Sequence, residues 1–265
     1  MFKHIRTFSF LLSLVLICSA CATNGKIHRP EAEADPFEGF NRSMFEFNYP
    51  FDRFVLKPVA KGYRAITNQF IRDRVRGILS NLREPVTAGN YLLQGEPKST
   101  GASLSRFVIN STLGLAGMFD VAEGWGLPRD RTSFNETFAK WCIPDGPYIV
   151  LPFLGPSNPR HATGIVMEFV FDPVFWATYH DANIHDRAAW GYAILQGITL
   201  RESALELTDD LERNSVDYYV TMRSAYLQNQ SKLRCWKDKG DDKETYDFDF
   251  GIDEEYDAFD EMEAQ

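Results

Sequence analysis

The sequence lacks the compact signatures of the common catalytic sites. It has no G-x-S-x-G elbow, no H-E-x-x-H, no G-x-x-x-x-G-K-[ST] and no dinucleotide fingerprint. Acidic residues are plentiful, but sequence alone gives no carboxylate separation, so no glycosidase pair is assigned. His180 and His185, with Asp181 and Asp186, form the one conspicuous ionisable cluster. A spacing of five does not bring the two histidines to one helical face, so no metal site and no cofactor are expected. A basic excess is missing too. The 265 residues carry a formal net charge of -9, and residues 236–265 alone hold 13 acids and 3 lysines. Without that tail and the two bases near the start, 23 bases face 24 acids, which excludes the electrostatic footprint of a nucleic-acid binder. Strict apolar–polar alternation is absent over any length that makes a sheet. Tyr148 to Leu151 is strand-like but lies between Pro147 and Pro152, so the class is expected to be mainly α.

The chain has four cysteines, two of them within the first 21 residues. Lys3 and Arg6 precede an apolar run from Phe8 to Ile17, and Ser19-Ala20 places small residues before Cys21. A run of about ten residues is too short to span a bilayer, which needs about twenty. Residues 1–20 are therefore expected to be a signal peptide cleaved between Ala20 and Cys21, with diacylglyceryl and N-acyl chains added to Cys21. Cys18 follows the β-branched Ile17, a poor cleavage position. Position 22 is Ala rather than Asp, which favours export to the outer membrane of a Gram-negative bacterium, with the protein anchored on the periplasmic side. Residues 21–34 are polar and read as a lipidated tether. Cys142 and Cys235 remain, and an oxidising periplasm makes a disulfide between them the expectation.

Helical organisation begins at Asp35-Pro36-Phe37-Glu38, which offers an N-cap Asp, an early Pro and an acid in the first turn. Phe37, Phe40, Met44 and Phe47 follow at helical spacing, among polar Glu38, Asn41, Arg42 and Asn48. Similar patterns recur at Trp190, Ile194 and Ile198, at Leu200, Ala204, Leu207 and Leu211, and from Val216 to Leu227, the last expected to be capped by Ser215. Two central segments, Phe107 to Val121 and Ile165 to Tyr179, are rich in large apolar residues. Segments of this length suit either a core or a membrane interface. In the first, Gly114 and Gly117 permit close backbone approach. In the second, Glu168 and Asp172 are expected on one helical face, and Pro173 is expected to break the helix after them. From Asp238 onward the acidic sequence reads as disordered, with Phe248, Phe250, Tyr256 and Phe259 as a possible docking motif.

Six blocks then carry a resemblance. They are Asp35-Pro36-Phe37-Glu38-Gly39-Phe40-Asn41-Arg42, Asn81-Leu82-Arg83-Glu84-Pro85, Asn90-Tyr91-Leu92-Leu93-Gln94-Gly95, Arg106-Phe107-Val108-Ile109-Asn110-Ser111, Gly114 to Ala122, and Gly146 to Pro156. In this order they resemble the MlaA (VacJ) family of phospholipid-transport lipoproteins. The resemblance implies an all-α, ring-like domain over residues 35–235, lying in the periplasmic leaflet of the outer membrane around an amphipathic channel. It also implies outer-membrane phospholipids as cargo, trimeric porins as neighbours, a soluble periplasmic carrier as the next acceptor, and no enzymatic activity. Glu168 and Asp172 are the candidates for the channel lining, with Phe107 to Phe119 and Phe169 to Trp176 facing outward. A structural, porin-associated scaffold without transport is the alternative. The sequence departs from the family in its acidic extension, residues 236–265, and in Cys142, where the family's pattern leads one to expect Gly.

Overall fold

The computed structural model describes residues 35–178, 182–233 and 235–236. The expected signal peptide, tether and acidic tail lie outside these residues. Helix α1 is Glu38–Phe51. The N-cap is Phe37 rather than the expected Asp35, which holds the turn before the helix: its Oδ1 accepts from the Phe37 amide at 3.1 Å and its carbonyl from the Glu38 amide at 3.2 Å. Pro50 has no N–H and its ring crowds the preceding turn, and the chain widens into one π-turn, Asp52–Leu56, before α2, Lys57–Ile66.

Helices α3, Gln69–Leu93, and α4, Pro97–Thr112, form an antiparallel pair joined at Gly95. The following loop runs through three consecutive left-handed residues, Leu115, Ala116 and Gly117. It lies directly on α3. A Cβ on Gly77 would stand 2.3 Å from the Gly117 carbonyl oxygen, and a Cβ on Gly114 would stand 2.2 Å from that of Phe119. The close approach expected of this glycine segment is therefore made, with α3 as the other partner.

Short helices α5, Val121–Gly124, and α6, Phe134–Lys140, come next, the second closed by a capping box of Ser133 and Glu136. The strand-like Tyr148 segment forms a small antiparallel hairpin of β1, Ile149–Leu151, with β2, Gly155–Ser157. Helix α7 is Pro159–Phe171 and α8 is Pro173–Thr178. Asp172 between them is extended, as a residue before proline must be, so the helix breaks where expected. Helices α9, Ala182–Ser203, α10, Leu205–Asn214, and α11, Tyr218–Ser231, complete the domain.

Two further local expectations are corrected. Ser215 ends α10 rather than starting α11, whose cap is Asp217, accepting from the Val220 amide at 3.2 Å. Asp172 does not share a helical face with Glu168, because its own side chain starts the next helix. Its Oδ1 accepts from the Val174 amide at 2.7 Å, a competing use for an Asp before proline.

Candidate functional site

Many large apolar side chains face outward while amides and charges are buried. On α1, Asn41 is 0 % exposed while its neighbour Phe40 is 55 % exposed, and Phe37 and Phe47 also face outward. The helix has two faces, as expected, but they divide differently: Phe37, Phe40 and Phe47 face outward, while Asn41 and Asn48 turn in to the hairpin beside Met44 and Phe45, which pack on the core. Large apolar side chains face outward elsewhere too: Val108 on α4, Leu113, Leu115 and Phe119 after it, Phe153 and Leu154 at the hairpin, Phe169 and Phe171 on α7, and Trp190 and Ile194 on α9 are all exposed. This settles the two readings of the segment from Phe107 against a buried core for those residues. So many exposed large apolar groups are more than a folded domain leaves to water by chance, and they point to an interaction surface.

The apolar core is small. Tyr148, Val150 and Tyr219 pack with Met44, Phe45, Tyr226 and Leu227. Buried polar centres surround this core. Arg106, 2 % exposed, donates from Nε to Glu84 at 3.0 Å and from Nη2 to Asp120 at 2.5 Å, and also binds the Leu127 carbonyl. Asp120 further accepts from Asn110 at 2.8 Å and Arg129 at 2.7 Å. Burial works to raise the Asp120 pKa, but these hydrogen bonds outweigh it and hold the carboxyl well below the usual range. Glu84, with fewer donors, is pushed up by burial despite Arg106. A second centre joins Arg64, Arg72 and Arg76 to the buried Glu202, at 2.7, 3.3 and 2.5 Å. A third holds Arg160 on neutral partners: Asn135 at 3.1 Å, the Ile143 carbonyl at 3.0 Å and Gln230 at 3.2 Å.

Glu168 and Asp172 fall together in a half-exposed polar cluster. Glu168 Oε2 accepts from Arg83 Nη2 at 2.6 Å. Tyr192 of α9 comes in beside Asp172, and burial followed by that carboxylate pushes its phenol up to about 12. Three separate stretches of chain, α3, the end of α7 and α9, thus supply one guanidinium, two carboxylates and one phenol, next to the outward-facing Phe169 and Phe171. Arg83 and Tyr192 were not foreseen as site residues. Arg83 and Glu168 are 85 positions apart, and no local pattern couples them. Cys142 and Cys235 are joined in a disulfide with Cα atoms 4.8 Å apart. Ala20 and Cys21, His180 and Asp181 lie outside the described residues, as do the side chains of Trp176, His185 and Asp186.

Fold and side-chain placement together define a mostly helical protein with charges and amides inside and large apolar groups out. The chain belongs to the MlaA lipoprotein family, whose model matches residues 33–233. It is 34% identical over 213 residues to the intermembrane phospholipid transport system lipoprotein MlaA of Escherichia coli, covering 78% of this chain and 80% of that protein. The Haemophilus influenzae protein of the same name is 35% identical over 225 residues, 83% of this chain and 86% of its own length. An uncharacterized Rickettsia typhi protein is 41% identical over 213 residues, 77% and 82% of the two chains. A solved structure described as the structural basis for maintenance of bacterial outer membrane lipid asymmetry superposes with a TM-score of 0.65 at 32% identity, over 76% of this chain and 99% of that one.

Proposed function

We propose that this protein lies in the periplasmic leaflet of the outer membrane, held by a lipidated Cys21, and removes phospholipid mislocalised to the outer leaflet. It passes each lipid to a soluble periplasmic carrier, without making or breaking a covalent bond, and so maintains lipid asymmetry. The observation that carries this reading is the outward-facing apolar surface on α1 and around the domain: Asn41 buried, Phe40 exposed. Each large apolar side chain taken out of water contributes about 1.5–3 kcal/mol, so such a surface is stable against acyl chains and costly in water. No described helix is long and apolar enough to cross a membrane. The reading therefore has the helices lying in the boundary of one leaflet rather than crossing it. Trimeric porins supply the neighbouring protein surface.

Within this reading, the cluster of Arg83, Glu168, Asp172 and Tyr192 lines the lipid's polar path. Its mixed charge suits a zwitterionic headgroup: the guanidinium for the phosphate, the carboxylates for the ammonium. The acyl chains travel along the adjacent apolar surface. Membership of a family with relatives named for intermembrane phospholipid transport supports the same function.

Phospholipid retained per protein after mild detergent extraction tests it. Wild-type protein is expected to carry phospholipid, and Arg83→Gln to carry several-fold less with little change in melting temperature, because the pair it breaks with Glu168 is part-exposed. Protein that extracts with its porin neighbour but with no phospholipid would favour a scaffold instead.

A further inference from the structure

On α3, Arg72 and Arg76 reach Glu202, whereas Arg74, about 200° round the helix from each, faces away from that centre. Its guanidinium carbon lies 4.8 Å from the Phe70 ring centroid and 4.7 Å from that of Phe119. Among the described residues no carboxylate is paired with it, and its Nε is shut off from solvent without a hydrogen-bond partner. Gly77, one turn further along the same face of α3, meets the backbone of Gly117, which fixes the loop of Leu113 to Phe119 against this face. The surroundings are apolar and open, since Phe70, Leu115, Met118 and Phe119 are all exposed. A cation between two rings is held in place without being neutralised.

We infer that Arg74 binds the phosphodiester of a membrane lipid at the leaflet surface, with the loop of Leu113 to Phe119 below it among the acyl chains. The inference rests on the leaflet placement proposed above and adds to it a specific headgroup contact, on the outer surface of the domain and separate from the Arg83 cluster. Charge complementarity carries it: an arginine left without an internal anion is held against two exposed aromatic rings, beside side chains suited to hydrocarbon. The planar fork of donors matches phosphate oxygens, and a long side chain beside an inserted apolar loop brings its charge to headgroup depth. The left-handed residues Leu115 and Ala116 hold the loop in a conformation that L-residues adopt at a cost, so its placement is imposed by the fold rather than incidental.

The test uses the full chain with Cys21→Ser, so that no acyl anchor contributes, and a fluorescent amino acid at position 115. Binding is compared on vesicles of dioleoylphosphatidylcholine and of digalactosyldiacylglycerol. Both lipids have no net charge, and only the first has a phosphate. The probe is expected to enter a low-polarity environment on both. Arg74→Gln is expected to weaken binding about fivefold on the phosphate lipid alone, the size of one exposed ion pair, with Arg74→Lys in between. An equal loss on both lipids, or no loss on either, would overturn the phosphate assignment while leaving the leaflet placement intact. A probe that stays in water on both surfaces would overturn the placement itself, and the headgroup contact with it.

Discussion

Arg106 donates to Glu84 across the α3–α4 pair at 3.0 Å, with both side chains out of solvent. The bond sits at the meeting point of three family blocks, because Asp120 closes the same guanidinium from the loop beyond α4. Removing one partner of such a pair leaves a buried charge without compensation, which costs about 3–5 kcal/mol. Arg106→Met is expected to lower unfolding free energy by that amount in urea titrations of detergent-purified protein. The double variant Glu84→Gln with Arg106→Met is expected to recover part of the loss, since it removes the stranded carboxylate. A double variant worse than the single one would contradict this picture.

Asn41 and Asn48, two turns apart on α1, act as a surrogate neighbouring strand. Asn41 donates to the Tyr148 carbonyl at 3.1 Å and accepts from the Val150 amide at 2.8 Å. Asn48 treats the Leu151 carbonyl and Phe153 amide in the same way, both at 2.8 Å. Asn41→Ala orphans two backbone groups at a fully buried position and is expected to cost about 2–4 kcal/mol by the same titration. Asn48→Ala, closer to solvent, is expected to cost less.

Cys142 stands at the left-handed end of α6, with φ +62°. Its amide bonds the Ala139 carbonyl at 2.8 Å and the Ile143 amide bonds that of Phe138 at 3.0 Å, the paired closure that normally ends on glycine. A left-handed non-glycine residue costs about 1–2 kcal/mol. A disulfide spanning 93 positions returns more, about 2–4 kcal/mol. Cys142→Ser loses the bond and keeps the strain, whereas Cys142→Gly loses the bond and releases it. The glycine variant is expected to melt measurably higher than the serine variant. Equal melting temperatures would mean that the backbone there is not strained.

How much of this was legible in the sequence follows from how local each signal is. The α1 pattern of Phe37, Phe40 and Phe47 revealed an amphipathic helix, and Pro173 revealed a break, because both act within a few residues. The pattern could not say which face of α1 turns inward, since periodicity is the same either way; Asn41 on the hairpin backbone decides it. Ser215 and Asp217 are both capable caps, and the local turn chose the second. Glu168 and Asp172 are four apart and would share a face only if the helix continued, which the proline prevents. Arg83 and Tyr192 were invisible as site residues because their partners are distant in sequence.

His161 gives a pH dependence with a definite sign. It stacks on Tyr226, centroids 5.9 Å apart, and burial, followed by the adjacent Arg160, lowers its pKa from 6.5. The folded state resists a proton that the unfolded chain accepts. Stability from this group is therefore full above pH 6.5 and is lost as pH falls toward the lowered folded value, at up to about 1.4 kcal/mol per pH unit. Glu84 and Glu136, raised from 4.5 by burial, act in the opposite sense above that pH. The useful comparison is thus wild type against His161→Gln between pH 7 and 5, where the variant is expected to show the flatter profile. Parallel profiles would remove His161 as the source.

The most direct measurement is outer-leaflet phospholipid, read by a surface acyl-transfer or probe assay, in cells with the wild-type protein, without it, and with Cys21→Ala. Surface phospholipid is expected to rise when the protein is absent and to stay raised with Cys21→Ala, because the domain then has no anchor at the membrane. Unchanged surface phospholipid in cells without the protein would contradict transport and leave the porin scaffold as the function of this fold.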